Sequence, residues 1–291
     1  MEAKSATSSE ATNSFGPIHI IEPKAQHSYT AILLHGRGSD GEEFAQELLD
    51  SKLSDQKTLP EKLPGWRWVF PSSPELWSTA FEEDMPAWFE AHSLTDVTAR
   101  QDLQMPGIAA SVRYLDTVLN DEIERLGGIS EKVVLGGISQ GSAVGMWTLL
   151  RSGATGSSLS RRLGAFVGAS TWLPFGANIQ HLFDKDAIDS KDGSKSNEVD
   201  MFVNSLLGPL KDALAHPDGY DEFLSTPVFL GHGSDDAYVD IELGRQAKDV
   251  LSRIGLTVEW KEYSGSEQEG HWLKVPEEVD DIANFLATIM M

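Results

Sequence analysis

The chain has no cysteine among its 291 residues, which excludes disulfides, thiol nucleophiles and thiolate metal sites while saying little about compartment. Basic residues are scarce as well: 23 Lys and Arg stand against 45 Asp and Glu, for a formal net charge of -22. A field of that sign repels nucleic-acid phosphates and anionic lipid headgroups over a Debye length. Nucleic acid and a stable membrane anchor are therefore not expected as partners. Long apolar runs are missing too, since nothing approaches the roughly 20 consecutive apolar residues that span a bilayer. The opening MEAKSATSSEATNS has neither a basic segment nor an apolar core, so no secretory signal is read and a cytoplasmic location is expected.

What is present suffices for one large domain, with 40% hydrophobic and 9% aromatic residues to fill a core. Residues 1–14 are small and polar without apolar periodicity and read as a disordered tail, leaving 15–291 as the folded unit. Short apolar runs predict strands at Ile18 to Ile21, Thr30 to His35, Trp66 to Phe70, Val133 to Leu135, Ala165 to Val167, Val228 to Gly231 and Thr257 to Tyr263. Between them lie helical patterns: Glu42 to Leu49, the Ile108, Val112, Leu115, Leu119 and Leu126 series, Ser142 to Leu150, Glu242 to Leu251, and a last helix opened by Pro276. Such alternation implies an α/β fold with a mostly parallel sheet and helices on both faces. The rhythm fails over about 175–226, which reads as an insertion. Its charged run from Lys185 to Asp200 is expected to be a mobile loop. Phe202, Leu206, Leu210 and Leu214 form a short helical pattern interrupted by Gly208-Pro209, expected to dock as a partial cap.

The central chemical signal is Gly137-Ile138-Ser139-Gln140-Gly141, a G-x-S-x-G match that is weak alone but sits between a strand and a helix. That context exposes a serine hydroxyl above the sheet edge and aims a helix N-terminus at developing negative charge. Serine needs a base. Of the eight histidines, His19 and His27 lie by the first strand, His181 and His216 in the insertion and His92 upstream of the serine. His271, in a loop after the last strand, has the position a base requires. An acid belongs after the preceding strand, where Asp235 and Asp236 are both available; neighbours on an extended segment point apart, so only one faces His271. The glycine loop Leu34-His35-Gly36-Arg37-Gly38-Ser39-Asp40-Gly41 would complete an oxyanion hole, with the backbone N–H groups of Arg37 and Gln140 converging on a carbonyl oxygen. A phosphate cradle is the competing use of such a loop, but the lysine and spacing of nucleotide-binding motifs are missing.

At these residues the sequence resembles the acyl-protein thioesterase and carboxylesterase group of α/β-hydrolases, also called the phospholipase/carboxylesterase family. The likeness rests on LHGRGSDG from Leu34, FPSSP from Phe70, MPAWFE from Met85, GGISQGSAV from Gly136, STWLP from Ser170, HGSDDAYV from His232 and Gly270-His271, in the family's order. It implies an α/β-hydrolase fold, a triad of Ser139, Asp236 and His271, an oxyanion hole from Arg37 and Gln140, and an acyl pocket near Trp88 and Trp172; Trp77 and Trp88 are the tryptophans most expected to line the site. The chain departs from the family at Arg37, often apolar there, at Ser234 in the HGDxD motif, and in its longer insertion. The resemblance implies a cofactor-free and metal-free hydrolase of carboxylic esters or thioesters, with an S-acylated protein or a lysophospholipid among the candidate substrates. An amidase on the same triad, or a non-catalytic binding module on the fold, are the competing functions.

Overall fold

A computed structural model describes residues 14–93, 95–153, 162–184, 198–215 and 221–290. Nearly the whole of the expected tail and most of the charged run after Lys185 lie outside these residues, as does His216. The seven predicted strands form one sheet: β1 (His19–Ile21), β2 (Tyr29–Leu34), β3 (Trp66–Phe70), β6 (Val133–Ile138), β7 (Ala165–Ala169), β8 (Val228–Gly233) and β9 (Val258–Tyr263). Their order is β1-β3-β2-β6-β7-β8-β9. Only β1 runs antiparallel to its neighbour. The inner strands are buried along their whole length apart from Tyr29 at the start of β2, as expected where helices cover both faces and the apolar runs are continuous rather than alternating.

One core layer holds α1 (Gly41–Asp50) and α9 (Glu277–Thr288); the opposite layer holds α3 (Gln101–Arg125), α4 (Ser139–Ser152), α6 (Glu198–Leu214) and α8 (Ile241–Ile254). Short helices α2 (Leu59–Lys62), α5 (Gly176–Phe183) and α7 (Asp221–Leu224), with one 3-10 turn at Ser130–Lys132, complete the set among the described residues. A two-stranded hairpin, β4 (Glu75–Ser78) with β5 (Glu83–Pro86), has no counterpart in the apolar pattern. Its half-exposed residues carry no apolar run to betray it. No helix among the described residues is long and apolar enough to cross a membrane.

Within the stretch 175–226, α6 corrects two expectations. It continues through Gly208 and Pro209 because Val203, Leu207 and Leu210 are buried beneath it, and tertiary packing outweighs local propensity. Phe202 packs on Trp147 of α4 and on Phe175, at ring centroid distances of 5.6 and 5.5 Å. The helix therefore extends a helical layer, and none of its residues lines the cleft described below.

Candidate active site

The parallel register brings the loops after β2, β6, β8 and β9 to one edge of the sheet, where ligands of open α/β sheets bind. β6 ends at Ile138 and α4 starts at Ser139 with no intervening residue. Ser139 itself takes φ of 53°, a left-handed conformation that costs a non-glycine residue energy and persists only where its surroundings impose it. Gly141 is one such imposition. A Cβ there would stand 2.3 Å from the Leu34 carbonyl oxygen and 2.4 Å from that of His35, so only glycine lets α4 pack this tightly on the β2 loop. From the other side Thr171 donates its hydroxyl to the Ser139 carbonyl at 2.9 Å.

The β2 loop is fixed by His35, which is wholly buried. The Ser73 amide donates to its Nε2 at 3.0 Å, leaving the ring proton on Nδ1 to donate to the Gly36 carbonyl at 2.7 Å. Burial pushes this imidazole down to about 4, so it stays neutral at ordinary pH. In a trans peptide the amide points opposite to the carbonyl. Anchoring the Gly36 oxygen on His35 thus turns the Arg37 N–H the other way, on a loop where a Gly36 Cβ would lie 3.5 Å from the Ser139 Cβ. The Gln140 N–H belongs to the first turn of α4, where amides lack intrahelical acceptors. Its side chain is locked, accepting from the Trp88 amide at 2.8 Å and donating to the Phe89 carbonyl at 2.8 Å. The Arg37 side chain donates to the Ala91 carbonyl at 3.0 Å and lies over the Phe81 ring at 4.9 Å, and desolvation lowers the guanidinium's affinity for its proton.

After β8 the two aspartates diverge. Asp236 is fully buried at its side chain and accepts from His271 Nδ1 at 2.8 Å. Its other oxygen accepts the amides of Tyr238 and Val239, each at 2.9 Å. Burial alone would raise its affinity for a proton, but the hydrogen bonds from His271 and the Val239 amide, with the His232 imidazole close by, hold the carboxyl well below the usual range. Asp235 points elsewhere and accepts the Gly265 amide at 2.9 Å, so it is a brace for the β9 loop rather than merely solvated. That loop is also tied by Ala237 N–H to the Glu269 carbonyl at 3.1 Å, and by the Lys274 amide to the buried Glu278 carboxyl at 2.9 Å. Burial drives Glu278 up to about 8.

Ser139 and His271 line one cleft of about 540 Å³, together with Arg37, Phe81, Met85 and Tyr238. That size suits a small ligand or an acyl chain. The three tryptophans expected to line the site do not line this cleft. Trp77 is 55% exposed on β4. Trp88 has no exposed surface and instead donates its indole N–H to the His35 carbonyl at 2.9 Å, bracing the loop from below. Trp172 is buried and borders a separate cavity of about 450 Å³ between α5 and α8. The apolar wall of the cleft comes instead from Phe44, Phe81, Met85, Tyr238 and Trp272. Two of these sit on the hairpin or its turn, whose existence no periodicity announced.

A serine held in a strained turn between a central parallel strand and a helix, with a histidine paired to a buried carboxylate on the loops after the last two strands, defines an α/β-hydrolase. Comparison with known proteins narrows the class. The profile of the phospholipase/carboxylesterase family matches residues 16–207 and 215–290. An acyl-protein thioesterase 1 of Yarrowia lipolytica is 27% identical over 269 residues, covering 91% of this chain and 94% of that protein. A second from Gibberella zeae is 27% identical over 271 residues, covering 92% and 93%. The crystal structure of Zea mays acyl-protein thioesterase 2 superposes with a TM-score of 0.68 at 25% identity, covering 95% of this chain and all of that one. The chain belongs to the phospholipase/carboxylesterase family and is a hydrolase of the serine-esterase type.

Proposed function

We propose that the chain hydrolyses acyl esters and thioesters through an acyl-enzyme on Ser139, with His271 as general base, Asp236 as its orienting acid and the amides of Arg37 and Gln140 as the oxyanion hole. The observation that carries this reading is the 2.8 Å contact between His271 Nδ1 and Asp236, in the cleft that Ser139 also lines. With Nδ1–H committed to the carboxylate, Nε2 is the unprotonated nitrogen available to take the Ser139 proton. Attack on the acyl carbonyl places negative charge on its oxygen at the N-terminus of α4, where the Gln140 amide and the helix dipole favour it. The imidazolium then protonates the leaving alcohol or thiol. Water, activated by the same histidine, releases the acid.

An S-acylated protein is the substrate class that the relatives' names suggest. The apolar walls of the cleft suit the acyl chain, and its openness at the sheet edge suits a large leaving group. A cytoplasmic setting fits such a substrate. A fluorophosphonate probe should label Ser139 in the wild-type protein. Ser139→Ala and His271→Ala should each lower kcat on p-nitrophenyl esters and on an acyl thioester by about 10³-fold or more, without adding in the double variant. Near wild-type turnover in Ser139→Ala would overturn the mechanism. Comparing ester with thioester and amide substrates ranks the leaving groups.

A further inference from the structure

We propose that His232 is a second histidine on the Asp236 carboxylate, a positioning residue that holds the acid's Oδ2 toward His271 and tempers its pull on the base; this rests on the roles given above to Asp236 and His271. His232 lies in β8 with no exposed surface. Its Nε2 is 2.9 Å from the Val239 carbonyl oxygen, which only accepts, so this nitrogen carries the ring proton. Asp236 Oδ2 lies 3.4 Å from the same nitrogen, a longer secondary contact beside the Val239 hydrogen bond. Oδ2 is thus shared between two imidazoles, His271 at 2.8 Å and His232 at the longer distance, while Oδ1 takes two amides.

The rest of the ring is built around this donor at a cost. Nδ1 is buried without a hydrogen-bond partner among the described residues, a loss that an apolar side chain of similar size would avoid. Gly244 makes room for it, since a Cβ there would stand 2.4 Å from Nδ1. Trp260 packs across the ring at a centroid distance of 6.1 Å. What the ring offers here that an apolar side chain would not is its Nε2–H, which holds the Val239 carbonyl and reaches toward Asp236.

Each donor on a carboxylate withdraws some of the charge available to the others. Removing the His232 donor leaves Oδ2 to His271 alone, which stabilises the imidazolium and raises the basicity of His271. The acid limb of kcat/KM then moves to higher pH. The other charged or titratable groups about the pair are Glu262 of β9, held by Arg245 of α8 at 2.8 Å, Asp235 in the acid's own loop, Glu278 at the start of α9 beside Gly231, and Tyr238 and Glu269, which line the cleft with His271. None is altered by the substitution.

His232→Leu removes the donor, and His232→Gln supplies an amide N–H of similar reach. The Leu variant should lose about 10- to 100-fold in kcat, the range typical of groups that orient a catalytic side chain, with KM nearly unchanged. Its acid limb should move up by roughly half a pH unit or more. The Gln variant should recover most of the activity and return the limb toward the wild-type position. Should the Leu variant fail to fold, His232→Asn, whose amide is too short to reach Asp236, takes its place. Full activity with an unmoved limb in the donor-free variant would overturn the proposal, as would equal losses in the donor-free and Gln variants with no shift, which mark a packing role. Wild-type protein whose Ser139 resists the fluorophosphonate probe would instead overturn the hydrolase mechanism itself, and this proposal with it.

Discussion

Adjacent residues of identical chemistry do different work at Asp235 and Asp236. The side chain of Asp236 is fully buried and receives His271, whereas Asp235 is exposed and receives the Gly265 amide. Asp236→Asn keeps the shape of the acid but presents an amide, which favours the wrong imidazole tautomer and cannot stabilise the imidazolium. A fall in kcat of up to about 10⁴-fold is expected, with KM little changed. Asp235→Asn retains an oxygen that can accept from Gly265, and an exposed charge acts on the imidazole only through a screened field. Its cost should stay below about tenfold. Steady-state kinetics of both variants on one ester at neutral pH decide the matter, and the reverse ranking would transfer the orienting role to Asp235.

Among the elements, α6 and the β4–β5 hairpin divide the labour that the irregular stretches of the sequence left open. The hairpin and its turn supply Phe81 and Met85 to the cleft, so it bears on substrate choice. Helix α6 packs against α4 and α5 and supplies nothing to the cleft. Leu207, with no exposed surface, is one of the side chains through which α6 grips the body. Leu207→Ala should therefore cost about 2–5 kcal/mol of stability, as truncation of a buried leucine does. Chain-length preference on a p-nitrophenyl ester series should be unaltered. Denaturant unfolding and the ester series check the two halves separately, and a changed chain-length profile would return α6 to the substrate path.

For the molecule as a whole, the formal charge of -22 acts on anything that approaches the cleft. Two of the residues at its mouth, Glu47 and Glu269, are exposed carboxylates. An acylated peptide carrying several lysines should be drawn in, and one carrying glutamates repelled, through a field that salt screens. The ratio of kcat/KM for the basic over the acidic peptide should be largest at low ionic strength and fall toward one as salt rises from about 10 to 150 mM. A ratio indifferent to salt would mean that the surface charge serves solubility alone.

The sequence by itself determined the seven strands, the parallel sheet they make, and the candidates Ser139 and His271. Each of these is written in local order: a continuous apolar run makes a buried strand, and strand, glycine, serine, glycine, helix makes a strained turn. The choice of Asp236 over Asp235 rested chiefly on the family resemblance, with weak support from the length of loop after Gly231, because direction on a loop depends on what waits at the other end. Tertiary structure alone decided that His35 and His232 stand beneath the site, since both look from sequence like ordinary residues before a glycine. It also withdrew Trp77, Trp88 and Trp172 from the cleft wall, for an aromatic side chain announces that it will be buried but not against which neighbour. The cleft belongs to residues from 36 to 272, and closeness between positions so far apart in the chain is a property of the packed sheet, which no local pattern encodes.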